Sequence, residues 1–242
     1  MRATAVVLGL QVIALAVLAA EVQLARTRGH LPDEPLELDG RVGSGAGSPL
    51  RVVWLGDSTA AGVGASSSAT ALPTVVAAGL GRPVDLTVFA VSGASVHDVV
   101  VDQLPLLAAL AESPDLIAIS VGANDVTHVS GRPEFRRRYE AVLDLLPASS
   151  RIVLLGIPDM GSIPRLEQPL RAIAGVRGAM LDDVVRTLAA ARGLGYVDIA
   201  AATGPSFRAD PARFYAADDF HPSDDGYALW SAAILEVVGV PG

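Results

Sequence analysis

Cysteine is absent from the chain, which excludes disulfides, thiolate metal sites and a cysteine nucleophile. Basic charge is in deficit: 18 Lys and Arg against 26 Asp and Glu leave a formal net charge of -8, with a pI near 4.9. Nucleic acid demands a basic footprint, so it is not an expected partner. Aromatic residues make up only 5%, a level that does not separate a glycan ligand from a lipid one. The chain has no helical His-Glu-x-x-His, Walker loop, calcium loop or internal repeat. Neither a metal nor a nucleotide cofactor is implied. The lack of disulfides leaves export open, because 242 residues at 51% apolar content can build a core without covalent cross-links.

What is present begins with an apolar run over residues 3–20, broken only by Thr4, Gly9 and Gln11. Arg2 precedes it, and Glu21, Arg26 and Arg28 follow. Its length falls between a signal-peptide core and a full membrane span. Val17-Leu18-Ala19 offers a small-residue cleavage site, while the uninterrupted stripe argues against a helix buried in a soluble domain. We expect residues 1–26 to be an apolar helix that serves as signal peptide or membrane anchor, touching the membrane through residues 3–20 if retained. The remainder would then be membrane-anchored facing outward, or secreted; the flanking charges leave orientation open. Residues 27–49 turn to Gly, Pro, Asp, Glu and Ser and read as a flexible linker. The folded domain is expected over residues 50–242.

Within that domain, near-continuous apolar runs at 50–55, 84–91, 115–121, 151–157 and 196–199 read as strands. Between them, periodic segments at 69–80, 96–111, 133–146 and 179–192 read as helices, and 224–238 closes the chain as another. Pro105 should kink or break the second. The Arg136-Arg137-Arg138 run is most simply a solvated face. Strands that alternate with helices, each apolar on both faces, indicate a parallel sheet covered on both sides.

Four short blocks stand at strand ends or in loops. Gly56-Asp57-Ser58 follows the first strand, Ser92-Gly93-Ala94-Ser95 the second, and Gly122-Ala123-Asn124-Asp125 the third; Asp218-Asp219-Phe220-His221 precedes the last helix. Carboxyl ends of adjacent parallel strands lie along one edge of the sheet, so the first three converge, and a loop can bring in the fourth. Each residue type suits one task in acyl transfer. Ser58 supplies a hydroxyl that becomes nucleophilic when a base takes its proton. His221 has the right unperturbed pKa for that base. Asp218 can hold the other ring nitrogen and fix the tautomer. Gly93 can offer an unshielded backbone N–H and Asn124 a neutral amide to a developing oxyanion, with the Ser58 N–H as a third donor.

These four blocks, in this order, resemble those of the SGNH (GDSL) hydrolases, a likeness covering roughly residues 50–238. The resemblance implies a flavodoxin-like three-layer α/β/α sandwich with about five parallel strands. It implies Ser58 as nucleophile, Asp218 and His221 completing a triad, Gly93 and Asn124 as oxyanion donors, and no cofactor. It implies an esterase or lipase acting on a small-molecule, lipid or glycan ester. Thr59 departs from the leucine common after the serine, which bears on substrate preference. Two other functions fit the same residues: an acyltransferase delivering to a sugar or lipid hydroxyl, and a tethered binding module without turnover. A dinucleotide fold fails on spacing, since Val91-Ser92 ends the second strand where a ribose-binding carboxylate belongs.

Other residues carry plainer readings. Asp57 is expected to bond local N–H groups in the turn, and Asp125 to pin the loop that carries Asn124. Asp219 is a near neighbour of the expected acid and reads as a turn carboxylate, as does Asp159. His128 could line the pocket or be an ordinary loop residue. Phe214 and Tyr215 could border the pocket or anchor their loop.

Overall fold

A computed structural model describes residues 35–45 and 47–239, together with Glu21, Gln23, Leu24, Thr27 and Leu31. The apolar run 3–20, expected to be helical, lies outside the described residues. Among those described, no helix is long and apolar enough to cross a membrane.

Strand β2 (Leu50–Gly56) is the centre from which the sheet grows. It pairs in parallel with β3 (Val84–Val88) on one side and β4 (Leu116–Ser120) on the other. β5 (Arg151–Leu155) and β6 (Gly195–Val197) continue the parallel ladder. The order β3-β2-β4-β5-β6 is the flavodoxin-like one, whose switch point falls where β2 and β4 lie side by side. Strand β4 is buried at every position, as expected for a strand covered on both faces. Trp54, Leu55, Ile117, Ile119 and Leu154 are fully buried there, each contributing roughly 1.5–3 kcal/mol of transfer free energy.

Helices cover both faces. α1 (Leu72–Gly79), α7 (Ile199–Ala209) and the closing α9 (Asp224–Val238) pack on one side. α2 (Val96–Asp98), α5 (Arg132–Asp144) and the long α6 (Leu170–Arg192) pack on the other. α2 runs into a π-helical turn (Val99–Gln103) and then α3 (Leu104–Ala108). Pro105 stands in the first turn of α3, where its missing N–H is harmless; the widened turn before it absorbs the break expected there. The arginine run of α5 is a charged face, with Arg136 paired to Glu140 and Arg138 to Glu134.

Three elements differ from the sequence reading. Residues 40–42, inside the expected flexible linker, form β1 (Gly40–Val42), which pairs antiparallel with β3. Leu38 just before it is buried, and Asp39 Oδ1 accepts the Val88 N–H at 2.8 Å. The polar, glycine-rich composition is that of an edge strand, whose pairing is decided by the neighbour it meets. α7 is a full helix although Gly204 and Pro205 lie within it. α6 begins nine residues before the expected 179; Gly175 and Gly178 on it allow close approach to Gly161 and Met160.

Candidate active site

The end of β2 is built so that Ser58 emerges at the switch point. Asp57 N–H continues the ladder onto the Ser120 carbonyl at 2.9 Å. Gly56 holds φ +145, and a Cβ there would stand 1.9 Å from the Ser120 oxygen. Only glycine fits this crossing. Gln103, buried in the π turn, clamps the same peptide: its Oε1 accepts Gly56 N–H and its Nε2 donates to Gly56 C=O, both at 2.8 Å. Beyond Gly56, Asp57 Oδ1 accepts from Thr59 N–H at 3.0 Å and Thr59 Oγ1 at 2.9 Å. Because that hydroxyl proton is committed, Ser120 Oγ donates to Thr59 Oγ1, at 2.7 Å. Burial pushes the Asp57 carboxyl up to about 6, against the opposing hydrogen bonds from Thr59.

The loop before α9 carries the second part. Tyr215 and Pro222 pair as an isolated bridge, and Ala216 N–H reaches the His221 carbonyl at 2.8 Å. Inside this loop Asp218 Oδ1 accepts the N–H groups of Phe220 at 3.1 Å and His221 at 3.0 Å. Its Oδ2 meets His221 Nδ1 at 2.6 Å. Burial alone would raise the Asp218 carboxyl, yet the His221 side-chain bond and the backbone bonds outweigh it and hold the group below its ordinary range. A carboxylate can only accept, so Nδ1 carries the proton and Nε2 is left as the acceptor. Ser58 Oγ lies 2.9 Å from that Nε2. The chain Ser58–His221–Asp218 is thus continuous, with the serine and aspartate both buried.

Asn124, in the first turn of α4 (Ala123–Thr127), lines the cavity beside Ser58. Its Nδ2 donates to the Ala94 carbonyl at 2.9 Å, linking it to the turn that holds Gly93. Gly93 is exposed at φ +84 in that turn, and among the described residues it is not part of the cavity lining. Asp125 pins the Asn124 loop, accepting Val96 N–H at 3.0 Å and Ser130 Oγ at 2.9 Å. His128 is exposed and lies away from the cavity lining. Asp219 is an exposed turn residue at φ +57. Tyr215 does border the cavity, its hydroxyl 2.6 Å from Ser162 Oγ.

Sequence reasoning missed several contributors. Gln103 was discoverable as the polar residue breaking an apolar stripe. Arg165 gave no signal, yet it is buried, with Nη1 3.7 Å from Asp218 Oδ2 and its guanidinium 5.8 Å from the Phe220 ring centroid. Asp159, expected as a turn residue, does accept Gly161 N–H at 3.1 Å, but it also pairs with Arg208 at 2.6 Å and faces the cavity. That cavity measures about 40 Å³ and is walled largely by Met160, Ile163, Phe207, Phe220 and Trp230.

Residues 54–229 match the family model of the GDSL-like lipase/acylhydrolase family. The chain belongs to that family. A GDSL-like esterase of Mycobacterium tuberculosis is 33% identical over 185 residues, 74% of this chain and 59% of its own length. The chain therefore spans about three fifths of that relative. Among solved structures, a lipolytic G-D-S-L protein from Veillonella parvula has a TM-score of 0.65 at 16% identity, covering 78% of this chain and 97% of its own. A phospholipase A1 from Streptomyces albidoflavus gives 0.60 at 21%, covering 78% and 100%. An acetyl xylan esterase variant from Geobacillus stearothermophilus gives 0.57 at 22%, covering 82% and 97%. These three structural likenesses speak to the fold.

Proposed function

We propose that this chain hydrolyses carboxylic esters through an acyl-enzyme, with Ser58 as nucleophile, His221 as base and acid, and Asp218 as the group that orients the imidazole. The observation that carries the reading is the pair of bonds in line, 2.9 Å from Ser58 Oγ to Nε2 and 2.6 Å from Nδ1 to Asp218. Ser58 Oγ attacks the carbonyl carbon as its proton passes to Nε2, and the carbonyl oxygen takes up the displaced electron pair. Gly93 N–H, Ser58 N–H and the Asn124 amide receive that oxyanion; an amide has two N–H groups, so one can hold the Ala94 carbonyl while the other serves the substrate. The imidazolium gives its proton to the departing alkoxide. A water then repeats the sequence on the acyl-enzyme and releases the acid.

The small apolar cavity beside Ser58 suits the acyl half. At about 40 Å³ it has room for an acyl group of about two to four carbons, since one water-sized sphere takes roughly 10–15 Å³ on the same measure. The apolar run 3–20 supports delivery of the domain to the membrane or beyond it, which fractionation of a tagged full chain would test. For the chemistry, the test is turnover of short-chain aryl esters and labelling by a small fluorophosphonate. Both should vanish in Ser58→Ala. Activity and label that survive the substitution would overturn the reading.

A further inference from the structure

An ester has two halves, and the small cavity beside Ser58 accommodates only one. A second, open groove of about 880 Å³ lies on the β3 side of Ser58. One wall is the chain over 61–66, which leaves Ser58 directly; the floor is the exit of β3, through Val88 and Val91, toward Gly93. The opposite wall is the segment before β1, through Leu36 and Leu38. This segment is held in place by the β1–β3 pairing and by the Asp39 bond to Val88 N–H. Leu36 and Leu38 pack on the Gly62 turn, their Cδ1 atoms 3.4 and 3.5 Å from where a Cβ would project. Gly64 lines the groove and also abuts the other side of the site, where its Cβ position is 3.0 Å from His221 Cβ. Gly64 is thus shared between the groove and the His221 loop, and Ser92 brings the lining to the residue before Gly93.

The geometry points to this groove as the seat of the alcohol half of the substrate, a bulky, uncharged and partly apolar alcohol held against residues 35–39. The assignment rests on the ester-hydrolase reading above. An acyl group stays bonded to Ser58 while the alcohol departs and water enters, so the narrow cavity suits the acyl group and the wide groove the alcohol. The leaving oxygen must also collect its proton from His221, whose loop packs on the Gly64 wall of the groove. Among the described residues the lining includes Glu37 and Asp39 and no Lys, Arg or His, which disfavours an anionic alcohol. Residues 35–39 precede residue 54, where the family match begins, so family membership alone does not bring this wall.

The test uses the full chain and esters that differ in one half at a time. 2-Naphthyl acetate and phenyl acetate share the acyl group and have leaving groups of similar basicity; phenyl acetate and phenyl hexanoate share the alcohol. In Leu36→Asp the naphthyl-to-phenyl ratio of kcat/KM should fall about 10-fold, with the acetate-to-hexanoate ratio moving less than about twofold. Val91→Asp, on the 56% exposed β3 exit, should act in the same direction and covers the case in which the leucine variant does not fold. A naphthyl acetate carrying a ring carboxylate should be a poorer substrate than the neutral ester and should recover in Glu37→Gln. A naphthyl-to-phenyl ratio unchanged in both aspartate variants overturns the assignment. So does a shift confined to the acyl series, which would place the acyl chain in the groove. Wild-type protein that is neither labelled by a fluorophosphonate nor active on any ester would instead overturn the hydrolase reading beneath it.

Discussion

Gly64 and His221 touch across the site: at φ +101, a Cβ on residue 64 would stand 2.3 Å from the Pro222 carbonyl oxygen and 3.0 Å from His221 Cβ. The turn that follows the proposed nucleophile thereby sets the position of the loop carrying the proposed base. Gly64→Ala meets backbone, which cannot swing aside as a side chain could. We expect kcat/KM for aryl acetates to fall about 100-fold, the scale that follows a displacement of about an ångström in reacting groups. Fluorophosphonate labelling should slow in step, with the far-UV circular dichroism unchanged.

Asp218→Asn keeps the size of the side chain and removes its charge. An amide can present N–H to Nδ1, which favours the tautomer with the proton on Nε2, where it cannot accept from Ser58. A loss in kcat on the order of 10³–10⁴ is expected, measured on aryl acetates under saturating conditions.

Asp57→Asn separates stability from activity. Burial lifts the Asp57 carboxyl from its usual 3.8 to about 6, so the native state binds this proton more tightly than the unfolded chain does. Its contribution therefore favours folding at low pH and is lost as pH rises from about 4 through about 6. Asparagine keeps the Oδ1 acceptor for Thr59 and removes the buried charge. At pH 8 the variant should be more stable than wild type by up to about 3 kcal/mol, and the gap should close by about pH 4. Thermal melts across that range are the check. Activity should fall about 10-fold, because a negative charge that favours the His221 imidazolium is gone.

Gln103→Met leaves an apolar side chain of similar length where an amide spanned the Gly56 peptide. The Gly56 carbonyl keeps Val91 N–H at 3.1 Å, while its N–H loses the Gln103 acceptor. Denaturant unfolding should show a loss of about 2–3 kcal/mol. Some loss of kcat is expected too, because the serine stands only two residues beyond the clamp.

The parallel strands were legible because each centres on apolar residues, a pattern carried furthest in β4, which is buried at every position. Three of the site blocks were legible because they stand at strand ends, where topology collects them, and the fourth because its Asp and His lie close together in one loop. β1 was hidden: Gly40, Arg41 and Val42 carry no strand pattern, and the segment becomes a strand only when β3 offers a free edge. α7 was hidden by Gly204 and Pro205, whose low helix propensity is overridden by packing of Phe207 and Ile199 into the core. Arg165 and Gln103 act through tertiary contacts with residues more than fifty and more than forty positions away. Local pattern cannot show such pairs.

Acid and base ride on the same short loop, knitted by the bonds of Asp218 to the Phe220 and His221 peptides and to the ring itself. Should that loop breathe outward as a body, the bond to the serine breaks while the bond between Asp218 and His221 is kept. The imidazole would come back with its proton already on the correct nitrogen, so each return restores a competent catalyst without a fresh search for tautomer.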